Sequence, residues 1–314
     1  MKALVTGGSG FIGSNLVDAL IARGDRVCAI DNLSTGRREN LDGAIASGGQ
    51  LIELDLADSA AVDKAVGDLK PDAIFHLGAQ IDVRRSVGDP AFDALINVVG
   101  TINVLEAARE HAVSRFVFSS TGGAIYGEAG TIPTPESETP LPEAPYGQAK
   151  LAAEGYLGLY ERLYGMSTLA LRYGNVYGPR QDPLGEAGVI AIFCGKAMSG
   201  KRPTVYGDGA QTRDYVYVGD VVAANLLAAE SDATGALNIG TGRETSVLDL
   251  VDALAPHATG DFSPVFEPAR VGELPRSALD VSRAAGVLGW SATVSLADGL
   301  STTLAAAREA VAPA

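Results

Sequence analysis

The opening residues constrain the fold more than any other stretch. Lys2-Ala3-Leu4-Val5-Thr6 is a short apolar strand that runs straight into Gly7-Gly8-Ser9-Gly10-Phe11-Ile12-Gly13. An apolar helical pattern follows, with Ile12, Leu16, Ala19 and Leu20 on one face. Strand, glycine turn and helix in this order form the context of a dinucleotide-binding fingerprint. Gly7 permits the tight turn, Gly10 lets the backbone approach a pyrophosphate, and Gly13 lets the helix pack close to the strand. The N–H groups at the helix start, around Phe11 and Ile12, then face the phosphates. A second strand, Arg26–Asp31, ends in a carboxylate about 20 residues past the glycines, where an acid binds the adenosine ribose hydroxyls, with Asn32 beside it. A carboxylate there repels a 2′-phosphate and so favours NAD over NADP, while Arg37 and Arg38 downstream pull the other way.

A chain of 314 residues can bury a large core, as one large α/β unit or two fused lobes. The formal net charge of −14 argues against nucleic acid or an anionic membrane surface as partner. It also sets a problem, because a dinucleotide is itself anionic and must be held by local N–H groups and a few arginines. The two cysteines, Cys28 and Cys194, form no C-x-x-C pair, and His76, His111 and His257 show no ligand spacing, so no metal is expected. No apolar run reads as long enough to span a bilayer, and the N-terminus reads as fold rather than signal. These features fit a reduced cytoplasmic enzyme.

Strand and helix patterns alternate through the first half. Gln50–Leu54 reads as a third strand, followed by Asp55-Leu56 within reach of an adenine. Ala61–Leu69 reads as a crossover helix and Ala73–Leu77 as a fourth strand, with Gly78-Ala79-Gln80 as its exit loop. Ala91–His111 reads as one long amphipathic helix carrying Asn97. Arg115–Ser119 is a fifth strand leading into Ser120-Thr121, Tyr146–Tyr164 a helix, and Ser167–Arg172 a sixth strand. This alternation predicts a doubly wound parallel sheet, a Rossmann-type α/β domain over residues 1–172. Residues 173–314 read as a smaller α/β lobe, richer in Gly and Pro, some of whose strands and helices return to the first domain. The acidic, Pro-rich piece from Ile132 to Pro145 reads as a solvated surface loop.

Tyr146-Gly147-Gln148-Ala149-Lys150 carries the chemistry. Residues four apart on a helix share a face one turn apart, which brings the Lys150 ammonium near the Tyr146 phenol or near a ribose between them. A phenol of pKa about 10 is expected to be tuned toward neutrality by that cation and by an oxidised nicotinamide, and so to take a proton from a sugar hydroxyl. Thr121, at the C-terminal end of a parallel strand, is placed to bridge the substrate oxygen.

Taken together, Gly7-x-x-Gly10-x-x-Gly13, Asp31, Ser119-Ser120-Thr121 with Ile125-Tyr126-Gly127, and Tyr146-x-x-x-Lys150 resemble the extended short-chain dehydrogenase/reductase family, and within it the nucleotide-sugar 4-epimerases. The likeness continues through Asn175-Val176-Tyr177-Gly178-Pro179-Arg180, Arg213-Asp214-Tyr215-Val216, Asn238-Ile239-Gly240-Thr241-Gly242 and Pro268-Ala269-Arg270-Val271-Gly272-Glu273. The resemblance implies that Tyr146 is the base, that Lys150 binds the nicotinamide ribose and that Thr121 positions the sugar hydroxyl. It implies transient oxidation at C4 of a UDP-sugar by a bound NAD, followed by return of the hydride to the opposite face. Leu77, Ala79, Gln80 and Asn97 join Gly7, Gly10, Phe11, Ile12, Gly13, Asp31, Asn32, Asp55 and Leu56 in the implied cofactor set. Asn175, Arg213 and Arg270 are implied at the diphosphate, and a homodimer is implied through the Ala91–His111 and Tyr146–Tyr164 helices.

Two departures from the family pattern matter. Thr121-Gly122-Gly123-Ala124-Ile125-Tyr126 is one residue longer than the usual form, which leaves the hydroxyl register open between Ser120 and Thr121. Ser277 stands where the family often has tyrosine, leaving room beside C2 for an N-acetyl group. Arg84, after the Gln80-Ile81-Asp82 loop, keeps a UDP-uronic acid in view. The competing readings are a nucleotide-sugar 4,6-dehydratase, a UDP-glucuronate decarboxylase, and a non-catalytic NAD-sensing regulator. The dehydratase needs an acid pair after the threonine, where this chain has Gly122-Gly123. The regulator reading sits poorly with a retained Tyr146/Lys150 pair.

Overall fold

The computed structural model describes residues 1–183, 188–270 and 273–311; Val271 and Gly272 of the sequence motif lie outside them. At its centre is a seven-stranded parallel sheet. Its strands are β1 (Lys2–Thr6), β2 (Arg26–Asp31), β3 (Gln50–Glu53), β4 (Ala73–His76), β5 (Arg115–Thr121) and β6 (Thr168–Tyr173), with Gly235–Ile239 at one edge beside β6. The spatial order from that edge is Gly235–Ile239, β6, β5, β4, β1, β2, β3. The chain starts in the middle, winds out to β3, then returns to lay β4 on the other side of β1. That reversal parts the loops leaving β1 and β4, and open parallel sheets bind ligands in such a crevice.

Helices cover both faces, which is why almost every residue of β1, β4 and β6 is buried rather than every second one. On one face α1 (Phe11–Ala22) and the Val218–Glu230 helix pack over Val5, Phe75, Val117 and Leu169. On the other, Val66, Leu105 and Leu157 from three helices meet Leu4, Ile74 and Phe116. The remaining C-terminal segments enclose a separate apolar cluster built on Phe193, Val205, Leu250, Phe262 and Leu300. In that part Asn175–Tyr177 pairs in parallel with Tyr215–Tyr217, and Thr204–Tyr206 with Val265–Glu267.

Three sequence expectations change. The long helix is not uniform: Pro90–Ala94 and Gly100–Glu110 are α-helical, and Leu95–Val99 between them is a π-turn that contains Asn97. This same span, Pro90–Glu110, is long and apolar enough by length and composition to cross a bilayer, contrary to the reading that no run is. Its most apolar window is 44% buried inside the fold, against the neighbouring helices. The Pro-rich piece is not simply solvated. Thr134 is buried and exchanges backbone hydrogen bonds with Ala278 and Asp280, and Glu136 accepts from the Asn238 N–H at 2.8 Å.

Candidate active site

The glycine turn has the shape its residues predict. Gly7 has φ +67° and donates its N–H to Ile30 O at 2.8 Å. A Cβ on Gly7 would stand 2.7 Å from Gly78 N, and one on Gly13 would stand 2.1 Å from the Gly7 carbonyl oxygen. Only glycine lets the β1 turn, the β4 exit and α1 approach this closely. Gly10 begins α1 without a side-chain cap, and the first turn, with Phe11 and Ile12, holds no acid. The leading N–H groups of α1 are therefore left without a side-chain cap, the kind of place that could hold an anion such as a dinucleotide pyrophosphate.

Asp31 is turned inward. Its Oδ2 accepts from Ser9 N at 2.9 Å and its Oδ1 from Leu33 N at 2.8 Å. It thereby ties the glycine turn to the end of β2, and an ionised carboxylate retains lone pairs for ribose hydroxyls. Asn32 Nδ2 donates to Asp55 Oδ2 at 2.9 Å, and the Leu56 carbonyl accepts from Asn103 Nδ2 at 2.8 Å. At the β4 exit, Leu77 N donates to Thr6 O and Gly78 N to Thr6 Oγ1, which fixes the path into Ala79. Beyond it, Gln80 N donates to Asn97 Oδ1 at 3.0 Å and Asn97 Nδ2 returns to Gln80 O at 2.9 Å. The π-turn is what aims Asn97 across to this loop.

The Pro145–Tyr164 helix carries Tyr146 and Lys150 and packs against β5. Lys150 is 3% exposed; its Nζ donates to Ser119 O at 2.8 Å and lies 4.6 Å from the Phe118 ring centre. Burial pushes its ammonium down to about 8, with Asp93 and Glu154 acting to raise it. The half-buried Tyr146 departs from expectation. Burial, then the charge of Asp93, holds its phenol above the usual range, and Lys150, engaged by the Ser119 carbonyl, does not offset this. The backbone N–H of Tyr146 donates to Ser86 Oγ at 3.2 Å, which pins the start of the helix.

Of the two hydroxyls left open, Ser120 is turned into the fold. Ser120 Oγ donates to Glu154 Oε1 at 2.5 Å, and Glu154 is paired with Arg172, so Ser120 is consumed inside the fold. Thr121 stands half-buried at the end of β5, where the chain turns into Gly122-Gly123. A Cβ on Gly122 would come 2.5 Å from Leu279 Cδ1, and one on Gly123 would lie 3.5 Å from Asn175 Oδ1. Leu279 and Asn175 therefore pack against the two residues that follow Thr121.

Arg213 Nη1 donates to Thr212 O at 2.7 Å, and its Nη2 lies 3.5 Å from Glu273 Oε1. Arg270 is exposed, with its guanidinium 3.9 Å from the Tyr206 ring centre. Arg84 lies exposed on the short Val83–Gly88 helix.

Three carboxylates escaped the sequence reading. Asp93 accepts from both Gln80 Nε2 and Asn97 Nδ2. Glu154 joins Ser120 to Arg172. Asp214, beside Arg213, accepts from Thr241 N, Thr241 Oγ1, Gly242 N and Leu279 N, and so ties three C-terminal segments together. Asp93 and Glu154 each stand four residues along a helix from a residue already singled out, Asn97 and Lys150, and that spacing was the available signal.

Residues 3–240 match the NAD dependent epimerase/dehydratase family. The chain is 46% identical over 306 residues to the UDP-glucose 4-epimerase of Mycolicibacterium smegmatis, covering 97% of each chain. Its structure superposes on that of the Thermotoga maritima UDP-glucose 4-epimerase with UDP-glucose at a TM-score of 0.96 and 46% identity, covering 99% of this chain and 100% of that one. The Thermus thermophilus UDP-glucose 4-epimerase in complex with NAD gives a TM-score of 0.92 at 43% identity, with coverage of 99% and 100%. With its glycine turn, parallel sheet and Tyr146/Lys150 helix in place, this chain belongs to the NAD-dependent epimerase/dehydratase family.

Proposed function

We propose that the chain is an NAD-dependent 4-epimerase of UDP-sugars, acting on UDP-glucose and UDP-galactose. The observation that carries this is the placement of Tyr146 and Lys150 one turn apart on a helix packed against the strand that ends in Thr121. NAD, when bound, supplies the acceptor and donor for the hydrogen on C4 and adds a positive charge next to the phenol. Gly7, Gly10 and Gly13 with the start of α1 would hold its pyrophosphate, Asp31 and Asn32 its adenosine ribose, and Lys150 its nicotinamide ribose.

Tyr146 takes the 4-hydroxyl proton and later returns it. Its raised proton affinity in the protein alone keeps it neutral until a cation sits beside it. Thr121 holds the same hydroxyl and fixes its distance to the phenol. Arg213 and Arg270, with Asn175, hold the diphosphate, since paired guanidiniums suit its oxygens. Water elimination has no acid to drive it here: Gly122 and Gly123 follow Thr121, and a side chain at Gly122 would crowd Leu279. Ser277 leaves space at C2, and the enzyme accepts UDP-N-acetylhexosamines as well. Exposed Leu95 and Val99 on one helix and Tyr156, Leu163 and Tyr164 on the other form the contact of a homodimer. Two free, buried cysteines fit a reducing cytoplasm.

The test is purified protein with UDP-galactose and no added reductant. UDP-glucose should form, and Tyr146→Phe should slow it by about 10²–10⁴-fold while NAD stays bound. Unchanged UDP-hexoses, N-acetylhexosamines and uronates would leave the regulator reading standing.

A further inference from the structure

Asp93 is an unusual carboxylate. It is 1% exposed, its Oδ1 accepts from Gln80 Nε2 at 2.9 Å and Asn97 Nδ2 at 3.0 Å, and its Oδ2 has no hydrogen-bond partner among the described residues. Its helix packs against the Pro145–Tyr164 helix. Burying an oxygen without a partner costs stability, so the group needs a reason to be there.

The charged and titratable groups around it come from three elements. Lys150, Tyr146 and Glu154 lie on the Pro145–Tyr164 helix, Asp82, Arg84 and Arg85 on the turn and short helix after Gln80, and His76 at the end of β4. Asp82 is used as a cap for Arg85 N at 3.0 Å, and the Arg85 guanidinium lies 4.2 Å from the Phe92 ring centre. His76 is neutral, since burial drives its imidazole down to about 3 and both ring nitrogens face threonine hydroxyls.

We propose that Asp93 is a positioning residue that sets the pH range of the reaction: one buried carboxylate clamps the Gln80 and Asn97 amides on a helix packed against the one that carries Tyr146 and Lys150. The coupling runs both ways. Burial raises the Asp93 carboxyl, while its amide partners and Lys150 lower it; its charge in turn raises both Lys150 and Tyr146. A negative charge that raises the base and the ammonium together moves both ends of the active range upward. This inference rests on the proton chemistry assigned above to Tyr146 and Lys150.

The test is Asp93→Asn, which keeps an acceptor for both amides and removes the charge. The pH profile of kcat is measured for wild type and variant, with bound NAD released and counted in each. Lys150 is titrated in both by NMR of ¹³Cε-labelled lysine, its signal assigned by its loss in Lys150→Met. Both limbs of the profile should move to lower pH by about one unit, and the Lys150 titration should fall by a similar amount. A uniform drop in kcat with unmoved limbs, or an unmoved Lys150 titration, overturns the proposal. The NMR titration reads the charge coupling whether or not a sugar is epimerised, so its failure is separate from failure of the functional assignment. If Asp93→Asn does not fold, the ¹³Cγ titration of Asp93 in Lys150→Met reads the same pair from the other side. It must rise relative to wild type, and no rise refutes the coupling.

Discussion

Glu154 and Arg172 form a buried ion pair beside the end of β5, with side chains 10% and 7% exposed. Arg172 Nε donates to Glu154 Oε1 at 3.0 Å and Nη2 to Oε2 at 2.6 Å, while Nη1 donates to the Tyr126 hydroxyl at 2.8 Å. The Tyr126 hydroxyl in turn donates to Asn238 Oδ1 at 2.8 Å. Burial opposes the charge on Arg172, yet Glu154 outweighs it and leaves the guanidinium firmly protonated. Glu154→Leu therefore strands a cation in the core, at a cost of about 3–5 kcal/mol. Against a total stability of about 5–15 kcal/mol this is large. For 314 residues the unfolding entropy makes it a fall in Tm of about 5–8 °C. Adding Arg172→Met removes the stranded charge and should recover more than half of the loss, because an apolar replacement of a buried pair is often close to neutral. The assay is thermal unfolding of wild type, the two single variants and the double. A single variant within about 1 °C of wild type, or a double no better than Glu154→Leu, refutes the argument that the stranded charge carries the cost.

Gly13→Ala drives a methyl to 2.1 Å from a backbone oxygen that cannot move aside, so it should cost about 1–3 kcal/mol by urea titration and release NAD on gel filtration. Ser277→Tyr should raise KM for UDP-N-acetylglucosamine at least about tenfold, about 1.4 kcal/mol, with UDP-galactose little changed, measured by coupled assay. Leu163→Asp, placing a charge on a side chain 61% exposed beside Tyr164, should yield a monomer by light scattering if this face is the dimer contact.

The glycine turn and the parallel sheet were legible because each depends on residues adjacent in the chain. Gly7, Gly10 and Gly13 act on one turn, and the apolar runs of β1, β4 and β5 announce strands covered on both faces. Tyr146 and Lys150 were legible for the same reason, being one helical turn apart. What the sequence hid was contact across distance. The inward turn of Ser120 depends on Glu154, 34 residues on, and the fixing of the Pro-rich piece on Asn238, 102 residues past Glu136. Acidic, proline-rich composition reads as solvated, and nothing local says that one glutamate will take a strand-edge N–H. The π-turn at Asn97 is likewise silent, since one extra residue in a helical turn leaves the apolar pattern nearly intact. Tyr146 stands one helical turn from Lys150 as the spacing predicts, but in the protein alone its phenol is raised by burial and Asp93, because the Ser119 carbonyl that engages Lys150 comes from another strand, which spacing does not show.

The same geometry answers how a chain of net charge −14 can serve an anionic cofactor and an anionic substrate. The acid excess is spread over the surface, where ionic strength screens it beyond a Debye length of about 8 Å. Inside, two of the buried cations stand near carboxylates: Lys150 near Asp93 and Glu154, and Arg172 paired with Glu154. On the proposed assignment, attraction for phosphates is left to groups that act at contact distance, the uncapped start of α1 with Arg213 and Arg270. Hydrogen bonds of that kind are little weakened by salt, whereas long-range repulsion is. Recognition built this way tolerates an acidic surface, because the forces that select the ligand and the forces that keep the protein apart from its neighbours operate over different lengths.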